Sequence, residues 1–145
     1  MSSAVDANIL LYASDTSSPF HDPAAELVRR LAMGPDLLYL FWPVAMAYLR
    51  ISTHPAVFDR PLDVDAAMGN LEALLGRRHV RTPGEEEGFW GLYRQVAAGM
   101  VVRGNLVTDA HLVALVRQHG VGTLWSHDRD FRKFEGIRVR DPFRT

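Results

Sequence analysis

Ala4-Val5-Asp6-Ala7-Asn8-Ile9-Leu10-Leu11-Tyr12 is a short apolar run with a carboxylate set near its start. Val5 to Leu11 has the composition of a buried strand, except that Asp6 and Asn8 fall where burial is costly. An ionised carboxylate inside a core needs a cation, hydrogen-bond donors or a shifted pKa. The stretch therefore predicts a strand that ends at Asp6 and points the carboxylate into a crevice. Asn8, two residues on, can hydrogen-bond the turn it sits in. Taken alone, Asp6 is more commonly just a cap on the next helix.

Outward from this stretch, Asp15 to Pro23 reads as a loop, with Asp22 as N-cap and Pro23 opening a helix. Ala24, Leu27, Val28 and Leu31 repeat at helical spacing until Gly34-Pro35. Leu37 to Phe41 is a continuous apolar run that fits a second buried strand. Pro43 opens a helix over 44–52 whose single charge is Arg50. Buried there, Arg50 would have to meet a carboxylate or a bound phosphate. A third helix carries Val64, Met68, Leu71 and Leu75 on one stripe and closes at Gly76. A short strand is expected at 79–81, beside a solvated basic group of Arg77, Arg78 and Arg81.

Glu85, Glu86 and Glu87 are expected in the first turn of a fourth helix, where the backbone dipole favours negative charge. Phe89, Leu92, Val96 and Met100 face inward from it. Thr108 reads as the N-cap of a further helix, which puts Asp109 in its first turn. Val121 to Trp125 reads as a strand, followed directly by Ser126-His127-Asp128-Arg129-Asp130-Phe131, and residues 137–139 as a last edge strand. Strands alternating with helices imply a mainly parallel sheet in an α/β fold. In such sheets ligands sit outside the carboxyl ends of the strands. That rim receives Asp6, Asp109 and Asp128 from distant parts of the chain.

The 145 residues suit a single domain over 1–145. With no cysteine, neither a disulfide framework nor a thiolate metal site is possible. No apolar run reaches the roughly 18 to 20 residues that span a bilayer. The N-terminus lacks a signal-peptide pattern, so a cytoplasmic protein is expected. The net charge of −1 is unevenly spread. Residues 1–76 carry four Arg against nine acids, whereas residues 77–145 carry eleven Arg and one Lys against eight acids. An acidic half and a basic half are compatible with a metal pocket beside a phosphate-binding rim.

Three carboxylates held together repel one another unless a cation resides among them. Hard ions such as Mg²⁺ or Mn²⁺ prefer carboxylate and water oxygens and need few protein ligands when substrate phosphate supplies others. Such an ion can activate water against a phosphodiester. These are the requirements of a metal-dependent nuclease.

Val5-Asp6-Ala7-Asn8, Val107-Thr108-Asp109-Ala110 and Trp125 to Phe131 resemble, in order and over nearly the whole length, the three sequence blocks of PIN-domain ribonucleases. More narrowly, the chain resembles the VapC-type toxins of toxin–antitoxin pairs. The resemblance implies a three-layer α/β/α fold. It implies Asp6 and Asp109 as direct Mg²⁺ or Mn²⁺ ligands and Asp128 as the acid completing the catalytic set. Ser126 would orient a carboxylate or a water, and Asp130 would be a secondary acid, although capping the turn into Phe131 is its commoner role. Site-specific RNA hydrolysis leaving a 5′-phosphate is implied, often in structured RNA such as tRNA. So are a homodimer and a cognate VapB-type antitoxin whose C-terminal segment fills the groove.

One position departs from the pattern. The family usually carries a Glu three residues before the position of Arg50, and this chain has Ala47 there. The loss favours one ion held by Asp6 and Asp109. It also motivates an alternative: a catalytically weakened PIN fold that binds RNA or protein without cutting. Strand-end aspartates also occur in phosphatases and receiver domains. Against those, Asn8 stands where a phosphatase needs a second Asp, and Lys133 is the only lysine. A metal-free ribonuclease built on His54, His111, His119 or His127 is a further alternative, which EDTA would separate.

Overall fold

Ser2–Val5 forms β1, the centre of a five-stranded sheet in the computed structural model, which describes residues 1–144. Its neighbours are β2 (Leu37–Tyr39) and β4 (Thr123–Trp125), with β3 (Val80–Arg81) and β5 (Val139–Arg140) at the edges, in the order β3-β2-β1-β4-β5. Every pairing is parallel. The register sets Ala4 beside Tyr39 on one side and Leu124 on the other. Ala4, Val5, Leu38, Leu40 and Leu124 are accordingly buried. Strands buried on both faces read as unbroken apolar runs, which is why so few residues suffice.

Six helices cover the sheet: α1 (Ala7–Ser14), α2 (His21–Met33), α3 (Trp42–Ser52), α4 (Val64–Leu75), α5 (Phe89–Ala97) and α6 (Asn105–Gln118). The sheet grows from β1 to β2 to β3, then reverses to β4 on the far side of β1. Right-handed crossovers therefore place α1 to α4 on one face and α5 with α6 on the other. In agreement, α1 packs on α2 and α3, and α5 packs on α6. This is the three-layer α/β/α arrangement that the resemblance implied. The reversal beside β1 makes a switch point, and Asp6 lies at its carboxyl end. No helix among the described residues is long and apolar enough to cross a membrane.

Several local expectations shift. The strand does stop at Asp6 as expected, and the apolar run beyond it is helix: Asp6 takes an extended conformation and its carboxylate accepts the Ala7 N–H at 2.7 Å, capping α1. Helix α2 starts at His21 with Phe20 as cap residue, so Asp22 and Pro23 lie inside its first turn. Proline is tolerated there because the first turn's N–H groups have no intrahelical partner. Gly88, at a positive φ of 84°, opens α5, which leaves Glu85 to Glu87 outside the helix and the dipole argument void. The acidic stretch instead clips its loop to α6. Glu85 pairs with His111 at 2.6 Å, and the Glu86 N–H donates to Gln118 Oε1 at 3.0 Å. The buried stripe of α4 is Ala67, Leu71 and Leu74, and Val64 and Met68 are exposed.

Candidate active site

Asp6 leaves the end of β1 with both carboxylate oxygens engaged. Oδ1 accepts the Ala7 N–H, and Oδ2 accepts the Ser126 hydroxyl at 2.8 Å. Ser126, buried just past β4, also accepts the Asp128 N–H at 3.0 Å. Asp128 in turn caps a short 3-10 helix, Arg129–Lys133, by accepting the Asp130 N–H at 2.9 Å. One hydroxyl thus couples the β1 end to the β4 end, and the sheet brings together residues 120 positions apart. Replacing Ser126 with Ala should cost about 1–3 kcal/mol, because it strips one hydrogen bond from a buried carboxylate. A urea titration of the variant measures that loss, and an unchanged midpoint would contradict the coupling.

Asp109 reaches the same rim from α6. Gly104, at a positive φ of 58°, starts that helix at Asn105. Thr108 is therefore not the N-cap, and Asp109 stands in the second turn rather than the first. Ala110 and Val113 on the same helix are fully buried and anchor it to the sheet. Carboxylate oxygens of Asp109, Asp128 and Asp130 all lie within 4.8 Å of one another. Asp6, Asp109, Ala47 and Thr108 line a narrow crevice of about 40 Å³ with Pro43, Val44 and Leu112.

The electrostatics follow from that crowding. Burial first, then Asp128, Asp6 and Asp130, push the Asp109 carboxyl from its ordinary 3.8 up to about 7, with Lys133 opposing. Burial also raises Asp6, against the hydrogen bonds from Ser126 and Ala7 and with help from Asp128. Asp130 is the member whose charge is already offset, by Lys133 Nζ at 3.0 Å. The donor set is all carboxylate oxygen with no sulfur or imidazole in the cluster, which suits a hard divalent ion such as Mg²⁺ or Mn²⁺.

Of the residues singled out from sequence, Asp6, Asp109, Asp128, Asp130 and Ser126 converge. Asp130, read as a secondary acid, stands in the tight trio with Asp109 and Asp128. Asn8 lies in the first turn of α1, and its Oδ1 is buried without a hydrogen-bond partner among the described residues. Arg50 does not behave as expected. It is exposed near the end of α3 and makes no ion pair among the described residues, so burial does not force a partner on it. It does follow Ala47 by one helical turn, on the side of α3 that reaches the crevice. Ala47 itself faces the site, and α3 therefore contributes a methyl where a carboxylate could stand.

Two features were not read from the sequence. Lys133 balances Asp130, a pairing that the spacing of three residues permitted but did not demand. His127, between Ser126 and Asp128, is held by Asp141 at 2.8 Å among the rings of Tyr12, Phe20 and Phe143. Its place inside the Trp125–Phe131 block was the available signal.

Comparison with known proteins places this geometry. The chain is 57% identical over 143 residues to ribonuclease VapC48 of Mycobacterium tuberculosis, covering 99% of each. It is 32% identical over 138 residues to ribonuclease VapC37 of the same organism, covering 95% of each. No family model matches. Among solved structures, Mycobacterium tuberculosis VapC20, a sarcin-ricin loop cleaving toxin, superposes with a TM-score of 0.66 at 17% identity, over 90% of this chain and 93% of that one. The FitAB complex bound to a DNA fragment matches at a TM-score of 0.70 and 14% identity, over 99% of this chain and 96% of that one.

Proposed function

This chain belongs to the VapC family of ribonucleases, and from that premise we propose that it is a Mg²⁺- or Mn²⁺-dependent endoribonuclease, the toxin of a cytoplasmic toxin–antitoxin pair. The observation that carries the metal dependence is the cluster of Asp109, Asp128 and Asp130 with Asp6 beside it. Asp6 and Asp109 would hold the ion and Asp128 would complete the acidic pocket. Asp130, already paired with Lys133, is the weaker ligand. When bound, such an ion lowers the pKa of water and stabilises charge developing on a phosphodiester.

The protein's own part is placement. Ser126 fixes the Asp6 carboxylate by donating to Oδ2, while the α1 cap fixes Oδ1. Asp109 and Asp128 oppose it from α6 and from the turn after β4. Because these groups sit on a sheet edge and a helix rather than on a long loop, little reordering is needed when RNA arrives. Arg50, exposed one turn beyond Ala47 and without an ion pair among the described residues, would meet an RNA phosphate. A structured RNA such as tRNA is the proposed substrate class.

The antitoxin partner rests on a second feature. An apolar groove of about 400 Å³ runs between α1, α2 and α4, lined by Leu10, Ala25, Val28 and Leu74 with Arg29 and Arg77 at its rim. Solved relatives include VapBC complexes from Rickettsia felis and Haemophilus influenzae, and a VapB-type segment is the proposed occupant. For a homodimer, the exposed pairs Trp42 with Met46 on α3 and Val64 with Met68 on α4 supply apolar faces at helical spacing.

Expression of the chain without antitoxin, followed by sequencing of cellular RNA 5′ ends, tests the reading. New 5′-phosphate ends should gather at one or a few sites, and purified protein should reproduce them until EDTA is added. A non-cutting binding module, the alternative that Ala47 motivates, would bind RNA but produce no new ends. Cleavage that persists in EDTA would point instead to a histidine mechanism.

A further inference from the structure

Tyr12, Phe20, His127 and Phe143 come from four separate parts of the chain and meet beside the carboxylates. Phe20 and Phe143 stack with centroids 4.6 Å apart and planes 21° from parallel. The His127 ring lies 4.8 Å from Phe20 and 4.9 Å from Phe143. Tyr12 closes the group at 5.2 Å from Phe20 and 5.5 Å from Phe143. None of the four is fully buried, and neither Tyr12 nor Phe20 packs against the main core.

The group is held rigidly. Asp141, almost wholly buried, accepts both the His127 Nδ1 at 2.8 Å and the Phe143 N–H at 2.9 Å, so one carboxylate sets two rings. The His127 side chain remains 27% exposed, and its Nε2 has no hydrogen-bond partner among the described residues. Its neighbours in sequence are Ser126, bonded to Asp6, and Asp128. A flat, partly open, preordered ring is therefore fixed one residue from the acidic cluster.

We propose that His127, backed by Phe20 and Phe143, is a stacking site for one unpaired nucleobase of the RNA next to the scissile phosphodiester. The proposal rests on the ribonuclease reading and adds how the substrate is positioned. Proteins recognise single-stranded RNA by stacking splayed bases on aromatic side chains, histidine included. Rigid rings lose little conformational freedom when a base lands on them. The surrounding carboxylates disfavour an anionic occupant at this spot, whereas a neutral base meets no such repulsion. The free Nε2 offers one polar contact at the edge of the stack.

Fluorescence anisotropy with a labelled 12-nucleotide uridine RNA and an abasic ribose-phosphate oligomer of equal length tests this, in Mg²⁺. Wild-type protein should bind the uridine oligomer roughly 5- to 150-fold more tightly than the abasic one, the range that stacking of a base contributes. His127→Ala should lose most of that preference, and His127→Phe, which keeps a ring, should retain it. On the mapped cellular RNA, His127→Ala should raise KM by a similar factor with kcat held and the Mg²⁺-induced melting shift unchanged. No base preference in the wild type would overturn the proposal, even if His127→Ala proved too unstable to test. So would a His127→Phe protein as weak as His127→Ala, or a loss confined to kcat and melting temperature. A wild type that cuts no RNA would mark failure of the ribonuclease reading itself, and would take this site with it.

Discussion

Asp109→Asn should lower RNA cleavage by more than about 100-fold while leaving the helical spectrum unchanged. Partners one step removed from a metal commonly cost 10- to 100-fold when mutated, and loss of a ligand itself should exceed that. Asparagine preserves the shape of the side chain but removes the anion that holds the ion. It also relieves the repulsion from Asp128, Asp6 and Asp130, so the variant should fold at least as well as the parent. Asp6→Asn should be equally inactive and less stable. Its Oδ1 can still cap α1, but an amide nitrogen now faces the Ser126 hydroxyl, which must turn around. Multiple-turnover cleavage beside thermal melts separates the two. Wild-type rates in either variant would defeat the metal assignment.

The metal-free protein should lose stability as pH rises from about 4 to about 7. Asp109 titrates near 3.8 when unfolded and about 7 when folded, so in that window the folded state binds more protons than the unfolded one. Stability then falls with rising pH. Three units at 1.36 kcal/mol each would set a ceiling of about 4 kcal/mol. Partial exposure of the carboxylate screens this to about 1–2 kcal/mol.

Three other acids run the opposite way, among them the exposed Glu26, which the Arg29 hydrogen bond holds below its usual value. Burial pushes Asp141 up, but the Phe143 N–H, His127 and Arg144 outweigh it and hold the carboxyl below its usual value. The His111 hydrogen bond does the same for Glu85. Their contributions are complete above the ordinary carboxylate range and fade only in stronger acid. The window from 5 to 7 therefore reports on the acidic cluster, and Asp109→Asn should make the fall shallower, leaving the share of Asp6, which burial also raises. Mg²⁺ at pH 7.5 should restore what the repulsion removes, by about 2.7 kcal/mol at a hundredfold excess over Kd. Melting curves with and without Mg²⁺ across this range check the sign. A metal-free midpoint that rises between pH 5 and 7 in the wild type, and equally in Asp109→Asn, would contradict the account.

Much of this architecture is decided locally. Apolar runs such as 37–41 and 121–125 have no polar side to show to water, so they must be strands covered on both faces. Glycines and prolines between them leave room only for helical connections. Strand-end Asp6 and Asp128 follow from that alternation, because a parallel sheet gathers the carboxyl ends of its strands on one rim. The stretch after Asp6 was harder to read. Ile9, Leu10 and Leu11 suit a strand or a helix equally, and a single cap hydrogen bond to the Ala7 N–H tips the choice. The start of α6 was hidden for a related reason. Thr108 looks like a cap, but the positive φ of Gly104 begins the helix a turn earlier.

Only the folded chain decided which charges meet. Arg50 looked buried because its neighbours are apolar, yet it is exposed near the end of α3, while Ala47 one turn earlier lines the crevice. Asp130 looked like a turn residue, and the 3-10 helix brings it within 4.8 Å of Asp109, a partner 21 positions away. Asp141, far along the chain from Phe20, became the anchor of the aromatic group. Local sequence carries the backbone choices because those depend on neighbours a few residues away. The distances between carboxylates, and the pKa shifts that follow, depend on how layers stack, which no short stretch encodes alone.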